Sequence, residues 1–510
     1  MPRALLSVWD KAGIVPFARG LADLGWELYS SGGTMEAIGQ AGIPVRGMED
    51  LGGYPALLGG RVKTLQVQIH AAILARPDQP DDMADLQRVG AEPFALVAVN
   101  LYPFRQRPDI ETIDIGGVAL LRAAAKNHAH VTVVSSPGDY DRVLDALRAG
   151  GPDLAERRRL ALAAFRHTAT YDAAISAWLA GGSPLGDLDG GEAPEWPAEL
   201  ALGFTRALPL RYGENPHQRA ALYRDALPGS VGLLDAKMLQ GKPLSYNNLM
   251  DAEAAWDLVW RFQEPACVAI KHAGPCGVAL GEDPRQAFAR ARAADPVSIF
   301  GGVLAWNRPL DLATAEELGE LFLEVLIAPE VSGEAVQALR RKKNLRVLTC
   351  PQPDADRPLD WRLRRVAGGV LLQDEDRVPP APTEWRLATR SAASATEMRD
   401  LAFAWEVARA VGSNAIVVAR DGQTLGIGGG QPNRIDPARA ALAQAGERAR
   451  GAVLASDGFF PFPDVAEAAA ASGVRAIVQP GGAQRDRESV AVCDAAGIAM
   501  LLTGVRHFRH

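Results

Sequence analysis

The chain has little cysteine, no long apolar run and no excess of basic charge, and each shortage closes off a class of function. Its four cysteines (Cys267, Cys276, Cys350 and Cys493) are scattered, with no C-x-x-C pair. That argues against a disulfide framework or a structural zinc site and fits a reducing, cytoplasmic setting. No stretch approaches the roughly 18 uninterrupted apolar residues of a membrane span, and the opening MPRALLSVWDKAG has too short an apolar run for a signal peptide. Net charge is −7 at pH 7, which argues against nucleic acid as a partner. Anionic ligands would then need lysine and arginine gathered locally in the sites.

What is present is a globular composition, 48% hydrophobic and 23% charged over 510 residues. A working figure of roughly 150 residues per domain suggests about three folding units. The first part alternates strand-like and helix-like segments: ALLSVW, LADLGWELYS, MEAIGQAG, FALVAVNLYPF and VTVVSS. Such alternation predicts an α/β fold on a largely parallel sheet. Gly181 to Pro197, rich in Gly, Pro and acid, reads as a linker. Two domains follow, 1–197 and 198–510, with a boundary inside the second near 350–385. Across that boundary lies a weak internal repeat. CVAIKHAGPCG and NAIVVARDGQTLGIGGG each open a strand, turn, strand, helix, strand pattern, with Asp283 and Pro284 as N-cap and first residue of one helix. A true duplication would give two similar lobes with a site between them. Chance repetition of α/β patterns is the alternative.

Several motifs concentrate chemistry. SGGT (Ser31 to Thr34) sits between a strand and a helix, where backbone N–H groups meet an anion, although a tight turn reads almost as well. GRVKT (Gly60 to Thr64) lacks Walker spacing; Arg61 and Lys63 face one way if the segment is extended, or belong to a solvated charged face. In IDIGGVALLRAAAKNH, Asp114 precedes two glycines and Lys126 follows in a helical run; Tyr102 ends a strand. These supply acid, base and oxyanion donors, or singly an ion pair and a sheet-end tyrosine. RYGENPHQ (Arg211 to Gln218) packs five functional side chains into eight residues, and SYNNLMD (Ser245 to Asp251) is a second polar cluster ahead of a helix. In AIKHAGPCG, Lys271 and His272 end an apolar strand ahead of a Pro-Gly turn. Neighbours on a strand point to opposite faces, so both reach one ligand only if the chain turns there. A zinc deaminase is the competing reading, but H-x-E and P-C-x-x-C are both missing. GIGGGQPNR places Arg434 after a mobile glycine loop; SDGFFPFPD offers an aromatic wall or ordinary core phenylalanines; the basic TGVRHFRH tail is expected to dock.

In this order, SGGT, GRVKT, NLYPF, IDIGGVALLRAAAKNH, RYGENPHQ, LSYNN, KHAGPCG, SDGFFPFPD and TGVRHFRH closely resemble the bifunctional family that joins AICAR formyltransferase to inosinate (IMP) cyclohydrolase. The resemblance spans essentially the whole chain. It implies a methylglyoxal-synthase-like first domain and a second domain of two cytidine-deaminase-like lobes without catalytic metal. It implies formyl transfer from 10-formyltetrahydrofolate to AICAR, ring closure of formyl-AICAR to IMP, and a cytoplasmic homodimer with neither nucleic acid nor membrane as partner. Carried over by motif, the transferase positions are Lys271, His272 and Asn414, with Arg211, Tyr212, Arg434, Ile435, Phe459, Arg506, Phe508 and His510 binding substrate. The cyclohydrolase positions are Lys63, Tyr102, Asp114 and Lys126, with Lys11, Ser31, Gly33, Thr34, Arg61 and Thr64 around the nucleotide. The chain departs from the family pattern at Trp9, at Gln66 and Val67, and at Gly274. A non-catalytic nucleotide-binding protein is the reading these departures would favour.

Overall fold

The computed structural model describes residues 1–52, 54–181, 196–227, 231–353, 361–376 and 381–510. The linker expected at Gly181–Pro197 lies, apart from its ends, outside those residues. The chain divides into two compact units, Met1–Arg206 with Tyr223–Gly229, and Ala207–Leu222 with Ser230–His510.

The first unit is built on a parallel sheet of Arg3–Val8 (β1), Glu27–Ser30 (β2), Arg46–Gly47 (β3), Leu96–Asn100 (β4) and Thr132–Val134 (β5). Its order is β3-β2-β1-β4-β5, with every neighbour parallel. Leu5, Leu6, Leu96, Val97 and Ala98 are fully buried, as suits strands covered on both faces. The chain lays down one side of the sheet from β1 outwards, then returns to lay down the other from β4. The crevice beyond the carboxyl ends of β1 and β4 is therefore a topological switch point, the usual place for a ligand in such sheets. The long helix Leu154–Leu179 starts on Asp153, whose carboxylate accepts the Glu156 N–H at 2.7 Å.

Phe204–Leu210 (β6) and Ala220–Asp225 (β7) pair as a two-stranded ribbon. The second unit holds a twelve-stranded mixed sheet. One half comprises Lys237–Gln240 (β8), Ala266–Lys271 (β9), Gly274–Leu280 (β10), Val303–Trp306 (β11), Val325–Ala328 (β12) and Arg346–Thr349 (β13). A separate hairpin, Trp361–Val366 (β14) with Gly369–Asp374 (β15), follows. The other half comprises Arg386–Leu387 (β16), Ile416–Arg420 (β17), Gln423–Gly428 (β18), Val453–Ser456 (β19), Ala476–Gln479 (β20) and Ala499–Leu502 (β21).

The halves use one plan. In each, a hairpin's first strand pairs antiparallel with the next strand, two parallel neighbours follow, and a short antiparallel strand closes the edge. They meet where β10 runs antiparallel to β18, Ala279 opposite Gln423. Alternation along the strands sorts the side chains. Val268 and Ile270 enter a core shared by both halves with Trp256, Trp405 and Val417, whereas Cys267 and Ala269 enter a core private to the first half. Ile416, Leu454 and Phe460 belong to the second half's private core. Asp283 caps the helix Pro284–Ala294 as the sequence anticipates, accepting the Gln286 N–H at 2.7 Å.

The mobile glycine loop expected in GIGGGQPNR is not there. Gly426 and Gly428 lie in β18, where a Cβ would stand 1.9 Å from the Ala441 carbonyl oxygen and 2.1 Å from that of Pro437. These glycines let the helix Ile435–Ala445 press directly on the strand. Gly277 does the same in β10, with a Cβ 2.3 Å from the Ala291 carbonyl oxygen.

Candidate functional sites

The first site occupies the switch point. A cavity of about 650 Å³ is lined by Lys11, Ser31, Gly33, Thr34, Arg61, Lys63, Thr64, Tyr102 and Asp114. Ser31 precedes the helix Gly32–Gln40, and Gly116 opens the helix Gly116–Lys126; both starts line the cavity. Free N–H groups and the positive ends of two helix dipoles thus converge on it. SGGT is a helix start, its Thr34 hydroxyl donating to the Val8 carbonyl at 2.8 Å. Two lysines back the same helix start. A Cβ on Gly32 would lie 3.8 Å from Lys63 Nζ, and one on Gly33 would lie 3.9 Å from Lys11 Cε. Lys11 donates to the carbonyls of Val8 and Trp9, and burial pulls its pKa below the ordinary value against the opposing charge of Asp10.

GRVKT does not run extended. Leu58, Gly59 and Gly60 take φ of 52°, 64° and 98°, and the segment turns. Arg61 pairs with Glu111 while Lys63 folds back over Gly60, yet both line the one cavity. The departures from the family pattern are accommodated. Gln66 Nε2 donates to the carbonyls of Tyr54 and Lys63 at 3.2 and 3.0 Å, bracing this turn. Val67 is an exposed first residue of the helix Val67–Leu74. Trp9 is 49% exposed and lines the cavity wall.

Asp114 is held by main-chain donors. Its Oδ1 accepts the Gly117 N–H at 2.7 Å and its Oδ2 that of Tyr102 at 3.4 Å. Burial nonetheless pushes its carboxyl above the usual carboxylate range. The Tyr102 hydroxyl is pushed up too, by burial and then by the Asp114 charge. Two supporting residues stand outside the expected site set. Asn100 at the end of β4 accepts the N–H groups of Trp9 and Asp10 at 2.6 and 2.9 Å, fixing the loop after β1. The Tyr171 hydroxyl accepts the Asp114 N–H at 2.9 Å and donates to the Thr112 carbonyl at 2.7 Å. Lys126 stands apart. It ends the helix that Gly116 begins and lines another depression with Arg122, His128 and Arg158. At about 1.5 Å per residue, that helix sets it about 15 Å from the Asp114 end.

The second site lies at one end of the twelve-stranded sheet. The registers bring the end of β9, the starts of β10, β11 and β17, and the ends of β18, β19 and β21 to that same end. Lys271, Asn414, Arg434 and Phe459 flank these strand ends, and the tail from Thr503 to His510 leaves β21 there. Lys271 closes β9, and its ammonium donates to the Phe300 carbonyl. The expected Pro-Gly turn is absent, because Gly274 to Gly277 form the start of β10. The turn is His272 and Ala273 themselves, at φ of 53° and 58°. Two residues at positive φ make the tight hairpin turn that glycine and asparagine favour. The matching turn in the other half is Asp421 and Gly422, at φ of 53° and 65°. Gly274 starts β10, where a Cβ would sit 3.7 Å from the Lys271 carbonyl oxygen, an ordinary contact.

Arg434, 5% exposed, pairs with the fully buried Asp457. Its other nitrogen donates to Asn414 Oδ1 at 2.5 Å, and Asn414 Nδ2 donates to the Gln431 carbonyl at 2.9 Å. Asp457 also accepts the Ala415 N–H at 2.9 Å and the Ser413 hydroxyl at 2.5 Å. In the other half, Asn307 takes the matching place, accepting the Ala266 N–H at 2.9 Å. One half thus carries a neutral amide where the other carries a charge pair. Ile435 begins the following helix and packs on the second private core. The tail docks: Arg509 N–H donates to Ser413 Oγ at 3.1 Å and His507 N–H to the Asp457 carbonyl at 3.0 Å. A Cβ on Gly458 would lie 2.7 Å from Phe508 Cε1 and 2.3 Å from Arg434 Nη2, which places the Phe508 ring beside the guanidinium. Arg506 lies 4.7 Å above Phe508, and His510 is 6.0 Å from it. Of the three phenylalanines in SDGFFPFPD, Phe460 is core, whereas Phe459 and Phe462 are exposed. Arg211 lies over the Tyr212 ring at 4.7 Å, and their loop is tied down where Asn247 donates to the Glu214 carbonyl at 3.2 Å.

A parallel α/β unit with an anion cradle, followed by a duplicated mixed-sheet unit with its own cationic site, defines a two-site α/β enzyme. Residues 124–444 match the AICARFT/IMPCHase bienzyme family, and residues 13–132 match the MGS-like domain family. The bifunctional purine biosynthesis protein PurH of Bacillus cereus (strain AH820) is 47% identical over 518 aligned positions, covering 100% of this chain and 99% of that protein. PurH of Halalkalibacterium halodurans is 48% identical with the same coverage. The chain belongs to the AICARFT/IMPCHase bienzyme family. Its first unit is accordingly the MGS-like domain with a parallel sheet, joined to a mixed-sheet domain. Among the described residues, no helix is long and apolar enough to cross a membrane.

Proposed function

We propose that the chain carries out the last two steps of inosinate synthesis. Residues 198–510 transfer the formyl group of 10-formyltetrahydrofolate to the 5-amino group of AICAR. Residues 1–197 then close formyl-AICAR to IMP with loss of water. The observation that carries this reading is the cavity at the switch point, where two helix starts and three cationic side chains surround a space of nucleotide size. The family's names supply the substrates.

In ring closure, the carboxamide nitrogen attacks the formyl carbon of the same molecule, so folding the substrate supplies much of the rate. Lys63 and Tyr102 stabilise the oxyanion formed as the N–C bond closes. Asp114 then passes a proton to the departing oxygen, a task suited to a carboxyl held above its usual range by burial. Lys126 is too far along its helix to share this cavity within one chain, so its part in proton handling falls to the cavity of the second copy in a homodimer. In formyl transfer, His272 takes the amine proton as nitrogen attacks the formyl carbon, Lys271 stabilises the oxyanion, and the proton is delivered to the folate nitrogen as its bond to the formyl carbon breaks. Arg434, Asn414, Phe508 and the Arg211–Tyr212 loop hold substrate. The enzyme is cytoplasmic, uses the folate as cosubstrate and needs no catalytic metal.

The test is incubation with AICAR and 10-formyltetrahydrofolate, following inosinate. His272→Ala should lower turnover about 10²- to 10⁴-fold while ring closure of supplied formyl-AICAR persists. Near-normal transfer in that variant refutes the assignment. Mixing Lys63→Ala with Lys126→Ala chains should restore part of the ring closure each lacks, and no restoration in mixed dimers refutes the shared cavity.

A further inference from the structure

The SYNNLMD segment does not stand ahead of a helix; it starts one. Ser245 caps the helix Tyr246–Val259, and Asp251 lies on its second turn. Asp251 Oδ1 accepts the Ala273 N–H at 2.7 Å, and Ala273 is the residue that completes the left-handed turn carrying His272. The second half repeats the device. Asp400, at the same step of the helix Ala395–Ala408, accepts the N–H groups of Asp421 and Gly422, both at 2.8 Å. The sites differ in what the aspartate must hold. The second half's turn contains glycine, which takes positive φ freely, whereas His272 and Ala273 both pay a steric cost for theirs. A strained turn persists only where its surroundings fix it, and among the described residues the one side-chain bond to this turn comes from Asp251.

We propose that Asp251 is the positioning residue of formyl transfer: by accepting the Ala273 N–H it locks the strained turn that aims His272 beside Lys271. This rests on the reading that His272 and Lys271 perform the transfer. Asp251 contributes its acceptor oxygen and touches no substrate. Its carboxyl is raised by burial, opposed by the Ala273 N–H and by His272 and Lys271, in keeping with a half-buried acceptor that faces the pair.

The experiment measures formyl transfer by the full-length enzyme in four variants. Asp251→Ala should lower kcat about 10- to 100-fold, the worth of a lost bond to a charged acceptor, with the KM for AICAR within about threefold. The conservative Asp251→Asn keeps an acceptor oxygen and should restore kcat to within about threefold of the parent. Asp400→Ala should melt lower without a change in kcat, separating positioning from general stability. His272→Ala reports on the underlying reading. If His272→Ala retains transfer, that reading fails. If His272→Ala abolishes it while Asp251→Ala leaves kcat intact, the positioning role alone is overturned. An Asp251→Asn enzyme as slow as Asp251→Ala also overturns it, because the charge and not the acceptor would then matter. Should Asp251→Ala fail to fold, Asp251→Ser replaces it, with the same expected loss; its shorter side chain cannot span to the Ala273 N–H.

Discussion

Replacing Asp457 by asparagine converts the second half of the sheet to the arrangement that Asn307 already provides in the first. The side chain keeps its size and can still accept the Ala415 N–H, as Asn307 accepts that of Ala266. It loses the charge opposite Arg434, which is 5% exposed, and the acceptor of the Ser413 hydroxyl bond. Removing one partner of a buried ion pair costs about 3–5 kcal/mol. The retained Ala415 bond, and the Arg434 donation to Asn414, place the cost near the lower end, about 3 kcal/mol. At about 2 °C per kcal/mol for a unit of this size, the melting temperature should fall about 6 °C. Calorimetry reads the shift, and steady-state transfer at varied AICAR should show a raised KM, because Arg434 no longer has a fixed anchor. A melting temperature within about 1 °C of the parent with an unchanged KM refutes the view that a charge pair, and not its shape alone, builds this site.

Two further outcomes follow from geometry and burial. Gly428→Ala drives a Cβ to within 2.1 Å of the Pro437 carbonyl oxygen. The helix must shift, so stability should drop by about 2 kcal/mol or more, and a denaturant midpoint equal to the parent's contradicts the close-packing role. Asp114 has its carboxyl raised by burial, so the folded state holds that proton more tightly than the unfolded chain. Its contribution is therefore lost as pH rises from the ordinary carboxylate range through the raised value. Asp114→Asn should melt like the parent in acid and above it at pH 8, while ring closure disappears; a melting difference that is constant with pH contradicts this.

Much of the first site was legible because its chemistry follows chain order. SGGT pairs a strand end with a helix start, Tyr102 follows the end of β4, and IDIGG opens a second helix; strand ends in a parallel sheet share one edge. Lys126 looks close to Asp114 for the same reason: it is twelve residues on in the string, yet it ends the helix Gly116–Lys126 and stands at its far end in space. In SDGFFPFPD the aromatic residues draw the eye from Asp457, whose pairing with Arg434 joins residues 23 apart that the sheet brings together. The glycines of β18 looked like a mobile loop because sequence does not show a helix pressing on a strand. Tyr171 acts through main-chain groups, which leave no trace in side-chain motifs, and SYNNLMD shows Asp251 as a member of a polar cluster without the turn it holds.

The shared and private cores of the twelve-stranded sheet set an order of assembly. Each half has a core formed from its own strands and helices, so each can nucleate from nearby segments. The seam between β10 and β18 joins Val278 to Thr424, 146 residues away, and closing that loop comes at an entropic cost that local contacts do not carry. The halves should therefore form first and the seam last. A chain that stalls between those events exposes β10 and β18 as two bare edges, and its hazard is aggregation through them.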